Sequence, residues 1–199
     1  MRLNHQCASR IVRPMKKAAF LLAVFALAAL PAAAQTSEFG FLLGGSKRLN
    51  DLPGTQGRSS AKDFTFSNSV KEAFYCVQLE PDMMFKIKVG EITAPIVTTN
   101  SDGARVDAGK GNIDHIDALV DYRFSEPFGS TGLFGGVGMY RQSVSGYQDE
   151  TNVGLSAGVN GDFPLSRRYG IIVEGAYHWI HLSARPRYIT LTGGLRISF

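Results

Sequence analysis

The sequence of 199 residues predicts an all-β protein, an eight-stranded antiparallel up-and-down transmembrane β-barrel preceded by a cleaved signal peptide. Three observations predict this fold. The first is an apolar leader that ends in small residues. The second is a hydropathy period of two through the rest of the chain, and the third is an alternation of short and long connections between the periodic segments.

The leader comprises residues 1–34 and is predicted to be cleaved after Ala34. Two lysines follow Met15, and a run of 13 uncharged residues, 18–30, then leads to an Ala-x-Ala motif. Thirteen apolar residues are too few for a membrane-spanning helix, which needs about 20. Met15 is a second candidate for the true start of the chain. The mature domain is therefore predicted to be residues 35–199.

Charge and cysteine content limit the functions and the covalent cross-links that can be expected of this mature domain. The leader holds five Lys and Arg residues and no acidic residue, whereas residues 35–199 hold 16 basic and 17 acidic residues. A nucleic-acid-binding role is therefore not predicted, since the basic excess leaves with the leader. Only Cys76 remains after cleavage, so no internal disulfide is expected.

Eight segments alternate apolar and polar positions, as strands do when their two faces meet different environments. The clearest of them is 152–163, where every odd position is apolar or Gly. The predicted strands are 38–45, 73–79, 83–89, 114–124, 133–141, 152–163, 169–180 and 188–199.

The connections alternate in length, which is typical of an up-and-down barrel with tight turns at one end and longer loops at the other. Long or moderate loops are predicted at 46–72, 91–113, 142–151 and 181–187. Short turns are predicted at 80–82, 125–131 and 164–168.

The polar face is predicted to line the barrel, and the apolar face to meet lipid. Aromatic residues lie on the apolar face near both ends of the strands, as in the interfacial girdles of membrane barrels. A soluble β-sandwich with the same aromatics in its core is the alternative. The predicted interior polar network consists of Glu38, Lys86, Lys88, His115, Asp117, Asp121, Arg123, Glu174, His178 and Arg196.

This network is interpreted as structural, because charges in a narrow interior must be paired. The lysines at 86 and 88 are expected to pair with Asp117 and Asp121, and Glu38 is expected near Arg196 where the first and last strands meet. A narrow path for protons or ions is the alternative. No metal site and no cofactor are predicted, since neither His115 nor His178 has enough neighbouring ligands of its own.

The last strand carries a resemblance to a known family. Leu195, Ile197 and Phe199 are apolar at alternate positions up to a terminal aromatic. With the leader and the eight strands, this end resembles the small outer-membrane β-barrel proteins of Gram-negative bacteria. The resemblance implies export through the periplasm with chaperones, recognition of these three residues by the barrel-assembly machinery, and residence in the outer membrane.

That family includes adhesins, envelope-integrity proteins, small pores and enzymes, so the resemblance does not fix an activity. One further motif, His181-Leu182-Ser183, resembles the His-x-Ser pair of outer-membrane lipid A deacylases. No Asp or Glu follows Glu174 to orient the histidine. The lipid A enzyme therefore stays a weak alternative.

The expected function is a structural or surface-interaction role through the long loops, without catalysis. A narrow pore for ions or small solutes and a lipid A modifying enzyme are the alternatives. The expected partners are outer-membrane lipid and lipopolysaccharide, with the protein as a monomer.

Overall fold

The computed structural model describes residues 36–50, 65–99, 104–182 and 185–199, which form a closed antiparallel barrel. Eight strands follow one another around it in chain order, and the first pairs with the last. They are β1 (Ser37–Arg48), β2 (Thr65–Glu80), β3 (Met83–Thr99), β4 (Arg105–Glu126), β5 (Gly129–Ser143), β6 (Glu150–Pro164), β7 (Tyr169–Ile180) and β8 (Arg187–Ser198). All eight predicted strands and their up-and-down order are confirmed. The predicted signal peptide, residues 1–34, lies outside the described residues.

The barrel has two distinct ends. The turn end holds both ends of the barrel domain and the connections 81–82, 127–128 and 165–168. At the loop end lie the ends of β1, β3, β5 and β7 and the starts of the strands that follow them, with the described connection 144–149 between β5 and β6. Within the described ranges, no helix is long and apolar enough to cross a membrane.

The prediction of a long loop over 91–113 is wrong over most of its length. Strand β3 continues to Thr99 and β4 already begins at Arg105, while β1 and β2 also extend into the predicted loop 46–72. The physical reason is a reversal of polarity. In the extensions the apolar residues point into the barrel, as the fully buried Ile92 and Ile113 do, whereas the prediction sought apolar residues on the outer face.

Alternation along each strand separates an apolar outer surface from a buried inner one. Outward residues such as Phe41, Leu133 and Leu195 are 59%, 55% and 61% exposed, although they are large and hydrophobic. Inward residues such as Lys86 and Lys88 have no exposed surface. This arrangement is the reverse of that in a soluble protein, where the apolar face forms the core.

The interior is not polar throughout. Near the loop end it holds an apolar cluster of buried side chains that includes Val70, Ile92, Ile113, Tyr140, Ile180 and Tyr188. A smaller cluster nearer the turn end contains Leu42, Phe74, Cys76, Met84 and Ile172, so the free Cys76 is buried among apolar neighbours.

The extended hairpin of β3 and β4 leans over the opening of the barrel. Pairing of β3 with β2 ends at Ile92, yet side chains from two other strands reach the hairpin beyond that point. Arg48 on β1 donates a hydrogen bond to the carbonyl oxygen of Pro95 at 3.1 Å, and the Tyr188 hydroxyl on β8 donates to the same oxygen at 3.4 Å. These bonds hold the hairpin across the apolar cluster.

The seam between β1 and β8 depends on two inward glycines. A Cβ atom at Gly194 would overlap the carbonyl oxygen of Phe41, and one at Gly44 would overlap that of Leu191. At the neighbouring Gly193, which points outward, a Cβ atom would lie 3.8 Å from the nearest atom, the carbonyl oxygen of Ile172. At these glycine positions the inner face of the seam therefore has no room for a further side chain, whereas the outer face does at Gly193.

We predict that Gly194→Ala destabilises the barrel and that Gly193→Ala does not. Overpacking of this kind costs about 1–3 kcal/mol. Urea titration of the protein refolded in lipid vesicles, followed by the gel mobility of the folded form, measures both variants. Equal midpoints for the two variants would contradict the close packing of the seam.

Candidate functional site

At the centre of the barrel, one carboxylate binds two lysines. The side chain of Glu174, on β7, accepts hydrogen bonds from Lys86 and Lys88 of β3, each at 2.5 Å. All three side chains are at most 1% exposed. Strands β3 and β7 are not neighbours in the sheet, so these contacts cross the interior.

Each lysine has a second carboxylate on a neighbouring strand. Nζ of Lys86 lies 3.2 Å from Asp121 on β4, and Nζ of Lys88 lies 3.5 Å from Glu72 on β2. Lys88 is in register with Asp117 on β4, as the sequence suggested, but its described ion pairs are with Glu72 and Glu174. The charges are therefore shared among three carboxylates, which keeps neither ammonium group alone in a dry interior.

Toward the loop end, the network continues through histidines. The His115 ring lies between two carboxylates, with Nε2 at 3.3 Å from Glu72 and Nδ1 at 3.0 Å from Asp117. The His178 ring lies 5.7 Å from that of His115. Its Nδ1 is 3.0 Å from the Tyr140 hydroxyl, and its Nε2 is 3.2 Å from the Thr190 hydroxyl.

Toward the turn end, two arginines complete the network. Arg123 lies 2.9 Å from Glu38 and 3.3 Å from Asp121. Arg196 donates to Asp162 at 2.5 Å and lies 3.5 Å from Glu38. Glu38 is thus beside Arg196 at the seam between β1 and β8, where the sequence placed it.

The structure brings nine of the ten sequence-predicted interior residues into this one chain of charged contacts. His178 joins it through its ring contact with His115. With Glu72 as the link between Lys88 and His115, the connected ion-pair residues are Glu38, Lys86, Lys88, His115, Asp117, Asp121, Arg123, Glu174 and Arg196. Sequence reasoning missed Glu72, because it lay in a predicted loop. Its even position, shared with the inward Phe74 and Cys76, was the signal that could have placed it.

Bulky side chains and glycines fill the space around the charges. The ring of Phe134 lies 4.9 Å from Nζ of Lys86 and 4.9 Å from Nζ of Lys88, so it stacks against both cations. On β5, a Cβ atom at Gly138 would overlap the carboxylate of Asp117. The glycine thus makes room for an interior charge, as expected for a barrel of eight strands.

The outer surface changes from apolar to polar along one register line. Ala73, Val89, Ile116, Met139 and Val153 are paired in sequence around β2 to β6 and all point outward. The next outward row toward the loop end is polar. It consists of Lys71, Glu91, Asp114, Arg141 and Thr151, paired in the same order, and we call it the boundary ring.

The polarity of the inward residues also changes close to the boundary ring, but from polar to apolar toward the loop end. Next to the boundary ring on the loop side, Val70, Ile92 and Ile113 form an inward apolar row. On the turn side, Glu72 and His115 belong to the inward row. Around β2 to β6 the barrel is therefore apolar outside below the ring, where its interior holds the charged network, and polar outside above the ring, where its interior has an apolar row.

The arrangement offers little for catalysis. The charged side chains are held by one another and have almost no exposed surface. In the part of the chain that the structure describes, no group of three or more His, Cys, Asp or Glu side chains could hold a metal ion. His181 is exposed at the loop end, and Ser183 of the His-x-Ser motif lies outside the described residues.

A closed, eight-stranded, up-and-down barrel with an apolar outer band is the fold of the small outer-membrane β-barrels of Gram-negative bacteria. Neisserial surface protein A is similar to the chain, with a TM-score of 0.57 and 16% identity over 82% of this chain and 97% of that one. The N-terminal β-barrel domain of Pseudomonas aeruginosa OprF has a TM-score of 0.53 and 11% identity, over 83% and 98% of the two chains.

The Yersinia pestis attachment invasion locus protein Ail, crystallised in complex with the heparin analogue sucrose octasulfate, is also similar. Its TM-score is 0.50 at 14% identity, over 82% of this chain and 98% of that one. At these identities the likeness is one of fold. No protein-family model and no curated protein sequence matches the chain.

We predict that Glu174→Ala lowers the free energy of unfolding by about 3–5 kcal/mol, because it leaves two buried lysines without their shared carboxylate. The control is Glu80→Ala, which removes an exposed carboxylate at the end of β2. Urea unfolding in lipid vesicles, followed by tryptophan fluorescence, measures both. A loss for Glu174→Ala no larger than that for Glu80→Ala would contradict the central role of the carboxylate.

Proposed function

We propose that the chain is an integral outer-membrane protein with a sealed barrel, which serves a structural or surface-interaction role through its loop end and catalyses no reaction. The observation that carries this proposal is the opposite polarity of the two surfaces below the boundary ring. A large exposed apolar band with a charged, filled interior is stable only where lipid surrounds the barrel.

The aromatic residues support this location. Phe85, Phe124, Phe163 and Tyr169 face outward near the turn end, and Tyr177 and Trp179 face outward below the loop end. Such residues favour the two membrane interfaces. Strands β6, β7 and β8 each carry an apolar outward face about 11 residues long, the length that crosses a bilayer at a tilt.

Outer-membrane residence also implies an assembly route. Leu195, Ile197 and Phe199 are 61%, 41% and 70% exposed on the outer face of β8, so they are accessible until the barrel enters lipid. We propose that the barrel-assembly machinery recognises these three residues after periplasmic chaperones have delivered the exported chain.

The filled interior argues against the narrow pore. Below the boundary ring, Lys86, Lys88 and Leu119 have no exposed surface, and the apolar cluster and the β3–β4 hairpin lie above them. An ion would have to displace paired charges and then cross an apolar layer. Both steps are costly.

We predict no stable conductance when the protein is inserted into a planar lipid bilayer. Lys88→Ala tests the same point, because truncation of a lysine in the middle of the network removes a charge from any path through it. A stable wild-type conductance that changes in Lys88→Ala would overturn the sealed barrel and favour the pore.

The surface role rests on a basic group at the loop end. Lys47 on β1 and Arg185 and Arg187 at the start of β8 are at least partly exposed, and none takes part in an ion pair among the described residues. Asn50 fixes this corner, since its side chain accepts from the backbone N–H of Arg187 at 2.5 Å and donates to the carbonyl oxygen of Arg185 at 3.2 Å.

The membrane boundary passes close to this group, because Arg187 is in register with the outward Trp179. We propose that these three side chains bind the phosphates of lipopolysaccharide in the surrounding leaflet. A basic residue near an anionic lipid surface contributes on the order of 1 kcal/mol.

We predict that Arg187→Glu lowers the amount of lipopolysaccharide that co-purifies with the folded protein several-fold. Arg141→Glu is the matched control, since Arg141 faces outward at the boundary ring but already pairs with Asp149. Phosphate analysis of protein extracted at low salt measures both variants. Equal lipopolysaccharide content in wild type and Arg187→Glu would contradict the assignment of this group.

A further inference from the structure

The outer surface between β4 and β8 carries an open apolar groove with a volume of about 640 Å³. This volume lies within the range of about 300–1,000 Å³ that is usual for ligand pockets. Its walls are apolar side chains of the outer face, including Phe124, Leu133, Val159, Phe163, Val173 and Leu191.

The floor of the groove is formed where two outward positions lack a side chain. Gly175 on β7 and Gly161 on β6 both line it. A Cβ atom at Gly175 would have Val159 as its nearest neighbour, at 3.9 Å, so packing within the barrel does not require glycine there. This differs from the inward glycines, whose Cβ atoms would overlap the neighbouring strand.

The groove runs toward the turn end, where the β6–β7 turn carries two exposed arginines. The turn directly follows the groove wall at Phe163 and contains Arg167 and Arg168, which form no ion pair among the described residues. The Ser166 hydroxyl accepts hydrogen bonds from the backbone N–H of Arg168 at 3.3 Å and of Tyr169 at 3.1 Å, which orders the turn.

A carboxylate lies at the same end. Glu126, beside the β4–β5 turn, accepts a hydrogen bond from the Thr131 hydroxyl at 2.8 Å, and Thr131 itself lines the groove. The apolar groove matches a hydrocarbon chain. The arginines in the turn that follows Phe163 and the carboxylate bonded to Thr131 match the two charges of a zwitterionic phosphate headgroup at the same end.

We propose that this groove holds one acyl chain of a phosphoethanolamine lipid from the leaflet at the turn end. The phosphate lies beside Arg167 and Arg168, and the ammonium group faces Glu126. The inference rests on the proposed membrane location and adds a lipid of defined chemistry at a defined place on the barrel. It is distinct from the lipopolysaccharide contact, which lies at the other end of the strands.

The test uses the full-length protein in bilayers that contain phosphatidylethanolamine spin-labelled on one acyl chain. Electron paramagnetic resonance gives the fraction of immobilised lipid, and native mass spectrometry after mild detergent extraction counts the retained lipids. Gly175→Leu fills the groove. Gly193→Leu is the matched control, since it makes the same change at an outward position with equal space that does not line the groove.

We expect the wild type and Gly193→Leu to retain one phosphatidylethanolamine. In Gly175→Leu the amount of retained phosphatidylethanolamine is expected to fall at least five-fold. Arg167→Glu combined with Arg168→Glu is expected to weaken retention to a similar degree. Equal retention in Gly175→Leu and Gly193→Leu would overturn the proposal. A dimer mass that disappears only in Gly175→Leu would also overturn it, because the groove would then bind a second copy of the chain.

The two proposals fail in different ways. The difference in gel mobility between unboiled and boiled samples reports whether each variant forms the barrel in the bilayer. A chain that does not insert refutes the membrane location itself. An inserted barrel that retains no lipid refutes only the groove.

Discussion

The structure depends on the salt-bridged contact of Glu174 with Lys86 and Lys88 across the barrel. Backbone hydrogen bonds join each strand only to its two neighbours, so the ladders alone leave the cross-section free to flatten. The central carboxylate connects β7 directly with β3 on the other side of the interior. Its partners Asp121 and Glu72 extend that connection to β4 and β2, which fixes the distance between opposite walls.

A narrow interior also explains why many inward positions of the barrel are glycines. The carboxylate of Asp117, for example, occupies the space that a Cβ atom at Gly138 would take. Above the ring the interior is filled by aliphatic side chains such as Val70, Ile92 and Ile113. Below the boundary ring the sheet has its apolar residues on the outside, as a membrane barrel does. Above the ring it has them on the inside, as a small water-soluble β-barrel does.

This exchange shows how much of the fold the sequence could predict. Alternation identified all eight strands, because each crosses the apolar band with its hydrophobic residues facing outward. The alternation pattern predicted β3 and β4 to be shorter than they are. Beyond Glu91 and Asp114, toward the loop end, the outward residues are polar and the inward Ile92 and Ile113 are apolar. The alternation continues in β3 as far as Ile96, but there the apolar residues face inward instead of outward. The level at which the sheet leaves lipid is defined by residues paired across neighbouring strands. The sequence of one strand does not show this pairing.

The sequence predicted which side chains of the candidate site face the interior, but not which of them form ion pairs with each other. The odd or even position of each residue in its strand was enough to place nine charged or histidine side chains in the interior, together with Glu38 at the seam. It could not show that Glu174 meets the two lysines, since β3 and β7 are distant in sequence and not adjacent in the sheet. Glu72 was missed for a local reason, because the strand that carries it begins earlier than its apolar residues indicate. The outer groove depends on outward glycines of β6 and β7 that come together among side chains of five strands, β4 to β8, and no single segment contains that information.

The position of Glu174 late in the chain has a consequence for assembly. Strands β2, β3 and β4 already contain the two lysines together with Glu72 and Asp121, so this three-stranded sheet carries its own neutralising charges before β7 arrives. In the closed barrel β7 adds Glu174 to these local pairs, so each lysine then has one carboxylate partner on a neighbouring strand and one across the interior.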